Sequence, residues 1–484
     1  MRLIVLVALA VALVVAGQAQ AHGFDERYEL SVPLAWVVAG ACAVVAATFA
    51  LVALAALFAR GAAPAERGPV AIEVPLPPAL RLVLRAAAWL LFVLAIATAL
   101  WGSRDPMMNL APTLVAIVWW IGLSFTAALV GGIWAALDPW RSSFELLDAA
   151  ARRLGRPQGI VLGMRWPAAL GQWPAVALLL AWCWLEVVQP LASTPFKLGC
   201  MALAWTAINI GGMAAFGRER WQAHADVFAL FFATLGRMAP LQLRIDPPTP
   251  WRPMPGQSGF VLAMLSTVVF DGLHGGAAWQ AFEDLLRRAA PRALDGNGLV
   301  AGTVGLLVVW LVFVAAYGAA QWLSLAWMRL PRGSSSSGSN SSSSSAERVA
   351  LASRLALTLL PIALAYHVAH NFSSLLIQGQ RIFALLSDPF GWQWDLFGIA
   401  RWYPDIDFVD ARLTWFVAVT AIVLGHMASI GWSHRVVRAA GVPARRAALA
   451  MLPMTLLMLA FTATSLLLIA EPMVTAAARV SSAT

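Results

Sequence analysis

Charge is what this sequence has least of. Only 12% of its 484 residues are Asp, Glu, Lys or Arg, where soluble domains carry roughly 25%. Cysteine is nearly absent as well. Cys42, Cys183 and Cys200 stand far apart with no CxxC spacing, which excludes a disulfide framework and a zinc ribbon. All three read as small packing residues within apolar stretches. Also missing are a GxSxG elbow, HExxH, a Walker loop, GxGxxG after a strand, and CxxCH for haem attachment, so the commonest enzyme signatures are not available.

What fills the chain is hydrocarbon. Apolar residues make up 60% of it, its mean hydropathy is +0.75, and it carries 23 tryptophans, side chains that anchor at water–lipid interfaces. The formal charge of +9 is spread over short loops between apolar runs. That pattern sets membrane orientation and gives no support to a nucleic-acid partner. The expected fold class is therefore an all-α, polytopic transmembrane helix bundle.

Residues 1–21 have Arg2, a short apolar run and a terminal Ala-Gln-Ala, the form of a cleavable secretory signal. Cleavage after Ala21 leaves His22 as the mature amino terminus. Apolar runs of membrane-spanning length then predict ten spans, near 32–59, 82–101, 113–137, 174–190, 195–216, 259–274, 298–328, 349–378, 413–434 and 447–471. Arginines concentrate in alternate loops, including Arg152, Arg153, Arg156, Arg218, Arg220, Arg435 and Arg438. The positive-inside rule then puts both mature termini in the periplasm of a bacterial inner membrane.

The segments SSFELLDAAARRL, RERWQAHADVFALFFATLGRM and WQAFEDLLRRAAPRAL read as amphipathic helices lying on the membrane surface. A Ser-rich linker at 330–348 cannot bury a core. It is expected to divide a unit of seven spans (22–329) from one of three (349–484). The longest outer loop, 379–412, is aromatic and carries Asp388, Asp395, Asp405, Asp407 and Asp410. It reads as an interfacial loop, a cover for an outward-opening site, or a collector of cations.

The chemistry lies in a few polar residues set inside apolar sequence. His367 and His370, in LTLLPIALAYHVAHNFSSLLIQ, share one helix face about a turn apart. An ionisable group at membrane depth is a functional hypothesis by default. At about 1.5 Å per residue, His426 is expected at a depth comparable with His367, and Asp271 and His274 near that level. Imidazoles with a carboxylate suit zinc, copper, iron or nickel. His367, His370, His426 and His274 are thus candidate ligands to a divalent transition metal, zinc or copper, and Asp271 is a candidate ligand or general base. Haem ligation, proton relay, and hydrogen bonding to neighbouring helices remain open for the same residues. His22, as a free amino terminus, offers an amine and an imidazole together, a copper chelate to which Met107 and Met108 are candidate thioether partners. Glu186 is a second carboxylate in apolar surroundings. Asp105 and Asp138, beside prolines, read as helix-boundary residues.

The segments HGFDERYELSVPL, NLAPTLVAIVWWIGLSF, DPWRSSFELL, YHVAHNFSSLLIQGQ, VLGHMASIGWSHRV and MLPMTLLMLAFTATSLLLIAEP resemble a family of bacterial integral membrane proteins known as fenitrothion hydrolases. Where that family reads HGFG and RYDLP, this chain has Asp25, Glu29 and Ser31. The resemblance implies hydrolysis of an apolar aryl phosphotriester, with the lipid bilayer and an apolar small molecule as partners. The other reading of the same histidines is a transfer site in a permease for a metal, copper among them, or a small solute, or in a metallocentre assembly factor.

Overall fold

In the computed structural model, the described residues are 30, 32–58, 71–189, 194–245, 253–289, 298–328 and 341–470. The expected signal, His22 and both termini lie outside them. We number the elements used below as β1 (Ile72–Pro75), β2 (Val130–Gly131) and β3 (Leu241–Arg244). The helices are α1 (Leu34–Phe58), α2 (Pro78–Trp101), α3 (Leu110–Leu129), α4 (Pro139–Arg153), α5 (Trp173–Val188), α6 (Pro195–Phe216) and α7 (Val227–Gly236). They continue as α8 (Gln257–His274), α9 (Ala277–Ala289), α10 (Leu299–Met328), α11 (Ser341–Leu357), α12 (Leu360–Gln378), α13 (Ala411–Ala439) and α14 (Ala444–Ala470).

Among the described residues, eight helical stretches are long and apolar enough to cross a membrane, or nine if α8 and α9 count as one bent span. The chain is a helical, multi-pass membrane protein, and its described residues give eight or nine candidate spans where ten were expected. The stretch near 174–190 forms α5, which at about 1.5 Å per residue falls short of a ~30 Å hydrocarbon core. The stretch near 259–274 forms α8, which meets α9 at an angle of 86° across Gly275 and Gly276. Exposure of the long helices agrees with lipid as their solvent. Only 11% of the apolar window of α1 is buried by protein, because a bilayer removes the penalty for outward-facing Leu and Val.

The chain forms two compact units, each built from separated stretches. The first comprises the described parts of Met1–Arg67, Val261–Phe372 and Asp410–Thr484. In it α1 packs against α13 and α14, and α14 also packs on α10. Ala41, Ala369, Ala418, Ile422 and Leu466 form a shared core. This division differs from the expected one at the Ser-rich linker. Helix α11 already begins at Ser341, and the Gln321 amide of α10 donates to the Ala352 carbonyl of α11 at 2.9 Å. Packing thus joins the two sides of the linker.

Close approach within this unit depends on glycine. A Cβ on Gly425 would lie 2.5 Å from the Ala365 Cβ and 2.6 Å from the Pro361 carbonyl oxygen, so α13 and α12 meet backbone to side chain. Small residues serve this role between membrane helices, where van der Waals packing drives association.

The second unit comprises Gly68–Phe260 and Ser373–Val409. Helices α2, α3 and α6 pack together through Ala95, Ala99, Ala111 and Leu198. Ten residues of α3, Thr113–Gly122, are wound as a π-helix. They deliver Trp119 and Trp120 into a cluster with Trp134, Trp140, Trp182, Phe228 and Phe232, with ring centroids 4.7–6.4 Å apart. The sequence reading anticipated no strands, yet β1, β3 and β2 form a small parallel sheet in that order. Ile72 pairs with Leu241, and Val130 also pairs with Leu241.

Gly425→Ala is expected to destabilise the fold by about 1–3 kcal/mol through overpacking. Thermal unfolding in detergent should show it, while Gly431→Ala, where a Cβ meets nothing within 4 Å, should leave the melting temperature close to wild type.

Candidate functional site

The first unit gathers four of the singled-out residues near the end of α8. Asp271 and His274 stand on its last turn, before the bend at Gly275 and Gly276. His367 and His370 stand on one face of α12. The His370 Nε2–H donates to Asp271 Oδ2 at 3.1 Å, with the imidazole 11% and the carboxylate 39% exposed. The Asp271 carboxylate also interacts electrostatically with His367 and, less strongly, with His274.

Neighbouring groups fix this arrangement. The Tyr366 ring stacks on the His370 imidazole, 6.2 Å between centroids and 11° between planes. The tyrosine hydroxyl rests against Gly272, where a Cβ would sit only 2.2 Å from it. The residue after Asp271 is therefore bare so that the phenol can approach the α8 backbone. The Asn371 amide lies 3.3 Å from His367 Nδ1 and donates to the His367 carbonyl at 3.2 Å. His274 packs between aromatic rings, 4.8 Å from Trp279 and 5.5 Å from Phe270. Trp279 donates to Glu283 at 2.9 Å and fills the space left by Gly305. The bend between α8 and α9 is thereby packed on both sides.

His426 is not part of this group. Its Nδ1–H donates to the Ile422 carbonyl of its own helix at 2.8 Å, the ring is 1% exposed, and Nε2 has no hydrogen-bond partner. The similar depth inferred from residue counting does not bring it to Asp271, because helix rotation, which counting cannot give, decides where a side chain points. Among the described residues no group of three or more His, Cys, Asp or Glu is arranged to hold a metal ion. The Asp271–His370 contact has the geometry of an acid–base pair, a carboxylate orienting an imidazole.

The remaining candidates are dispersed. His22 lies outside the described residues. Met107 and Met108 are exposed on the turn after α2, where Asp105 accepts from both backbone N–H groups. Glu186 sits on a short π-helical turn at the end of α5, in the second unit.

The second unit holds a buried polar cluster that the sequence reading only half anticipated. Asp138 is the expected helix-boundary residue. Its Oδ1 accepts from the Trp140 and Arg141 N–H groups at the start of α4, and its Oδ2 accepts from Gln222 at 2.7 Å. Asp226 caps α7 in the same way through Phe228 and Ala229, leaving Oδ2 buried without a partner. Burial, followed by the nearby Asp138 charge, pushes the Asp226 carboxyl up to about 8. Burial raises Asp138 to about 6 despite the opposing pull of its backbone and Arg141 contacts. Nothing in a lone Asp226 within RERWQAHADVF marks this pairing in sequence. Nearby, Glu145 gathers Arg85, Arg141 and Arg218. Burial opposes its ionisation, but hydrogen bonds from Arg85 and Arg141 outweigh it and hold the carboxyl below its usual range.

No family model, curated protein or solved structure matches this chain.

The Asp138–Asp226 pair gives stability a definite pH dependence. Both carboxyls hold their protons more tightly in the fold than in an unfolded chain, where they titrate near 4. The fold is therefore expected to lose stability as pH rises from about 4 towards 8. Asp226→Asn keeps the cap acceptor and removes the higher titration. Its melting temperature should fall less than that of wild type between pH 5 and pH 8, and parallel curves would refute the assignment.

Proposed function

We propose that this chain is a membrane-embedded hydrolase of apolar, uncharged esters in which His370 is the general base and Asp271 its orienting carboxylate. The observation that carries the reading is the 3.1 Å contact between His370 Nε2 and Asp271 Oδ2, made at the end of an apolar helix. With its Nε2–H hydrogen-bonded to the carboxylate, the neutral imidazole keeps Nδ1 as the acceptor nitrogen. That nitrogen takes a proton from a water molecule as the water oxygen attacks the electrophilic centre. The bond to the leaving oxygen breaks with its electron pair, and the imidazolium returns the proton to that oxygen. The carboxylate stabilises the imidazolium in between without being protonated itself.

The resemblance to fenitrothion hydrolases supplies the substrate class, an aryl phosphotriester, attacked at phosphorus with an aryl alcohol leaving. Such molecules carry no charge and partition into lipid, so a pair set in a helix that bends within apolar surroundings is reachable from the bilayer. The same sequence pattern supports a bacterial inner membrane as the location, with the pair in its outer half. No step in this reading passes through a metal.

Wild-type protein in proteoliposomes is expected to release aryl alcohol from a chromogenic aryl phosphotriester. His370→Ala should lose activity about 10²–10⁴-fold, the range ordinarily supplied by a general base, and Asp271→Asn should lose a large part of the same factor. Solute and metal uptake by the same vesicles provides the contrast. Uptake that depends on His370 with no ester turnover would overturn the hydrolase in favour of a permease.

A further inference from the structure

The loop between α12 and α13 uses carboxylates as local caps and leaves many large apolar side chains exposed. The Asp388 carboxylate accepts from the Trp392 and Gln393 N–H groups at 3.0 and 2.8 Å. Asp395 accepts from the Ser387 hydroxyl at 2.8 Å and the Ala400 N–H at 2.9 Å, and the Ser387 oxygen accepts in turn from Phe397 N–H at 3.0 Å. Gln380 closes the base of the loop by donating to the Asp405 carbonyl and accepting from its N–H. Of the five aspartates that marked this segment as acidic, Asp388 is buried, and Asp388, Asp395, Asp405 and Asp410 each accept from backbone N–H groups as local caps.

Large apolar side chains dominate the exposed surface. Phe397 is 68% and Tyr403 84% exposed, and Trp392, Trp394, Leu396, Trp402, Ile406 and Phe408 are exposed beside them. Phe390, Trp392 and Trp394 hold one another as a three-ring cluster, with centroids 4.4–5.5 Å apart. A loop facing water keeps large apolar groups in and carboxylates out. A continuous exposed apolar surface marks contact with another phase or partner.

Its level is fixed by the span ends that meet it. The Phe390 carbonyl accepts from Ser103 N–H at 2.7 Å, and the Pro389 carbonyl from Leu110 N–H at 3.1 Å. Arg381 donates to the Met107 carbonyl at 2.5 Å. The loop is thus tied to the turn where α2 ends and α3 begins. Asn109 locks that turn by donating to the Thr98 and Ser103 carbonyls and capping Ala111. Along the chain, the loop directly follows the apolar stretch Glu347–Ser387 and directly precedes α13. Ends of membrane spans lie at the headgroup boundary, where Trp and Tyr rings are most stable.

We propose that residues 388–408 form a preformed lipid-interface element, inserting Trp394, Leu396, Phe397 and Tyr403 among the headgroups and upper acyl chains of the adjoining leaflet. The occupant of this surface is the bilayer itself. The argument for it is the run of exposed rings on a loop tied by hydrogen bonds to the turn where two apolar spans, α2 and α3, meet.

The test uses the full-length protein in phosphatidylcholine nanodiscs, with the native cysteines replaced and a nitroxide attached at Phe397→Cys, Tyr403→Cys or Leu396→Cys. Glu219→Cys, at a side chain 89% exposed within a charged cluster, is the aqueous reference. Labels at 397 and 403 are expected to relax more through dissolved oxygen than through a water-soluble nickel chelate, with the ratio reversed at 219. Nickel accessibility at 397 and 403 equal to that at 219 would overturn the proposal, and position 396 decides the question if either variant is not recovered.

Discussion

The contact between Asp271 and His370 is the interaction around which the first unit is arranged. A carboxylate and an imidazole set in apolar helices each lose hydration, and neither is tolerated there without the other. Their pairing ties the last turn of α8 to the middle of α12. It also explains why α8 stops where it does. Beyond His274 the chain meets Gly275 and Gly276 and turns by 86° into α9, so the carboxylate sits beside a break in the apolar stretch. The site is polar because the helix ends there, and the helix can end there because the pair and the packed Trp279 hold the bend.

Glycine is the second part of the same arrangement. Gly272 admits the Tyr366 hydroxyl, Gly305 admits the Trp279 ring, and Gly425 admits the side of α12. Each removes a side chain at the point where an aromatic ring or a neighbouring helix must come within van der Waals contact of backbone. Without hydrophobic collapse to press membrane helices together, such complementarity is what holds them. The proposed chemistry therefore rests on residues that carry none. Tyr366 stays stacked on His370 only while position 272 is bare.

In the second unit the equivalent polar groups have a different use. Asp138 and Asp226 close the N-termini of α4 and α7, where unpaired N–H groups need acceptors. Their mutual proximity is the cost of bringing two capped helices together. Glu145, by contrast, is matched by three arginines and stays ionised. In the loop from 388 to 408, Asp388, Asp395 and Asp405 follow the first pattern, accepting from backbone N–H groups. Among the described residues several buried acids serve as local caps, whereas Asp271 and His370 join the last turn of α8 to α12 through their side chains.

Local composition was enough to read most of the fold from sequence. Long apolar runs and sparse charge mark the spans, since hydropathy over a bilayer's thickness is a property of a single segment. Asp138 before proline marks a cap for the same reason. The stretches near 174–190 and 259–274 differ from the expected single spans, the first in its length and the second in a bend at a glycine pair, features a hydropathy window does not resolve. His367 and His370 were legible as one face of a helix. Their partner was not, because which of His274, His426 and Asp271 meets them depends on how α8 and α13 are rotated about their own axes. Sequence thus determined which segments leave water and which polar residues go with them. Only tertiary structure decided that Asp271 pairs with His370 while His426 turns back on its own helix, because helix rotation and close approach are set by packing between segments distant in the chain.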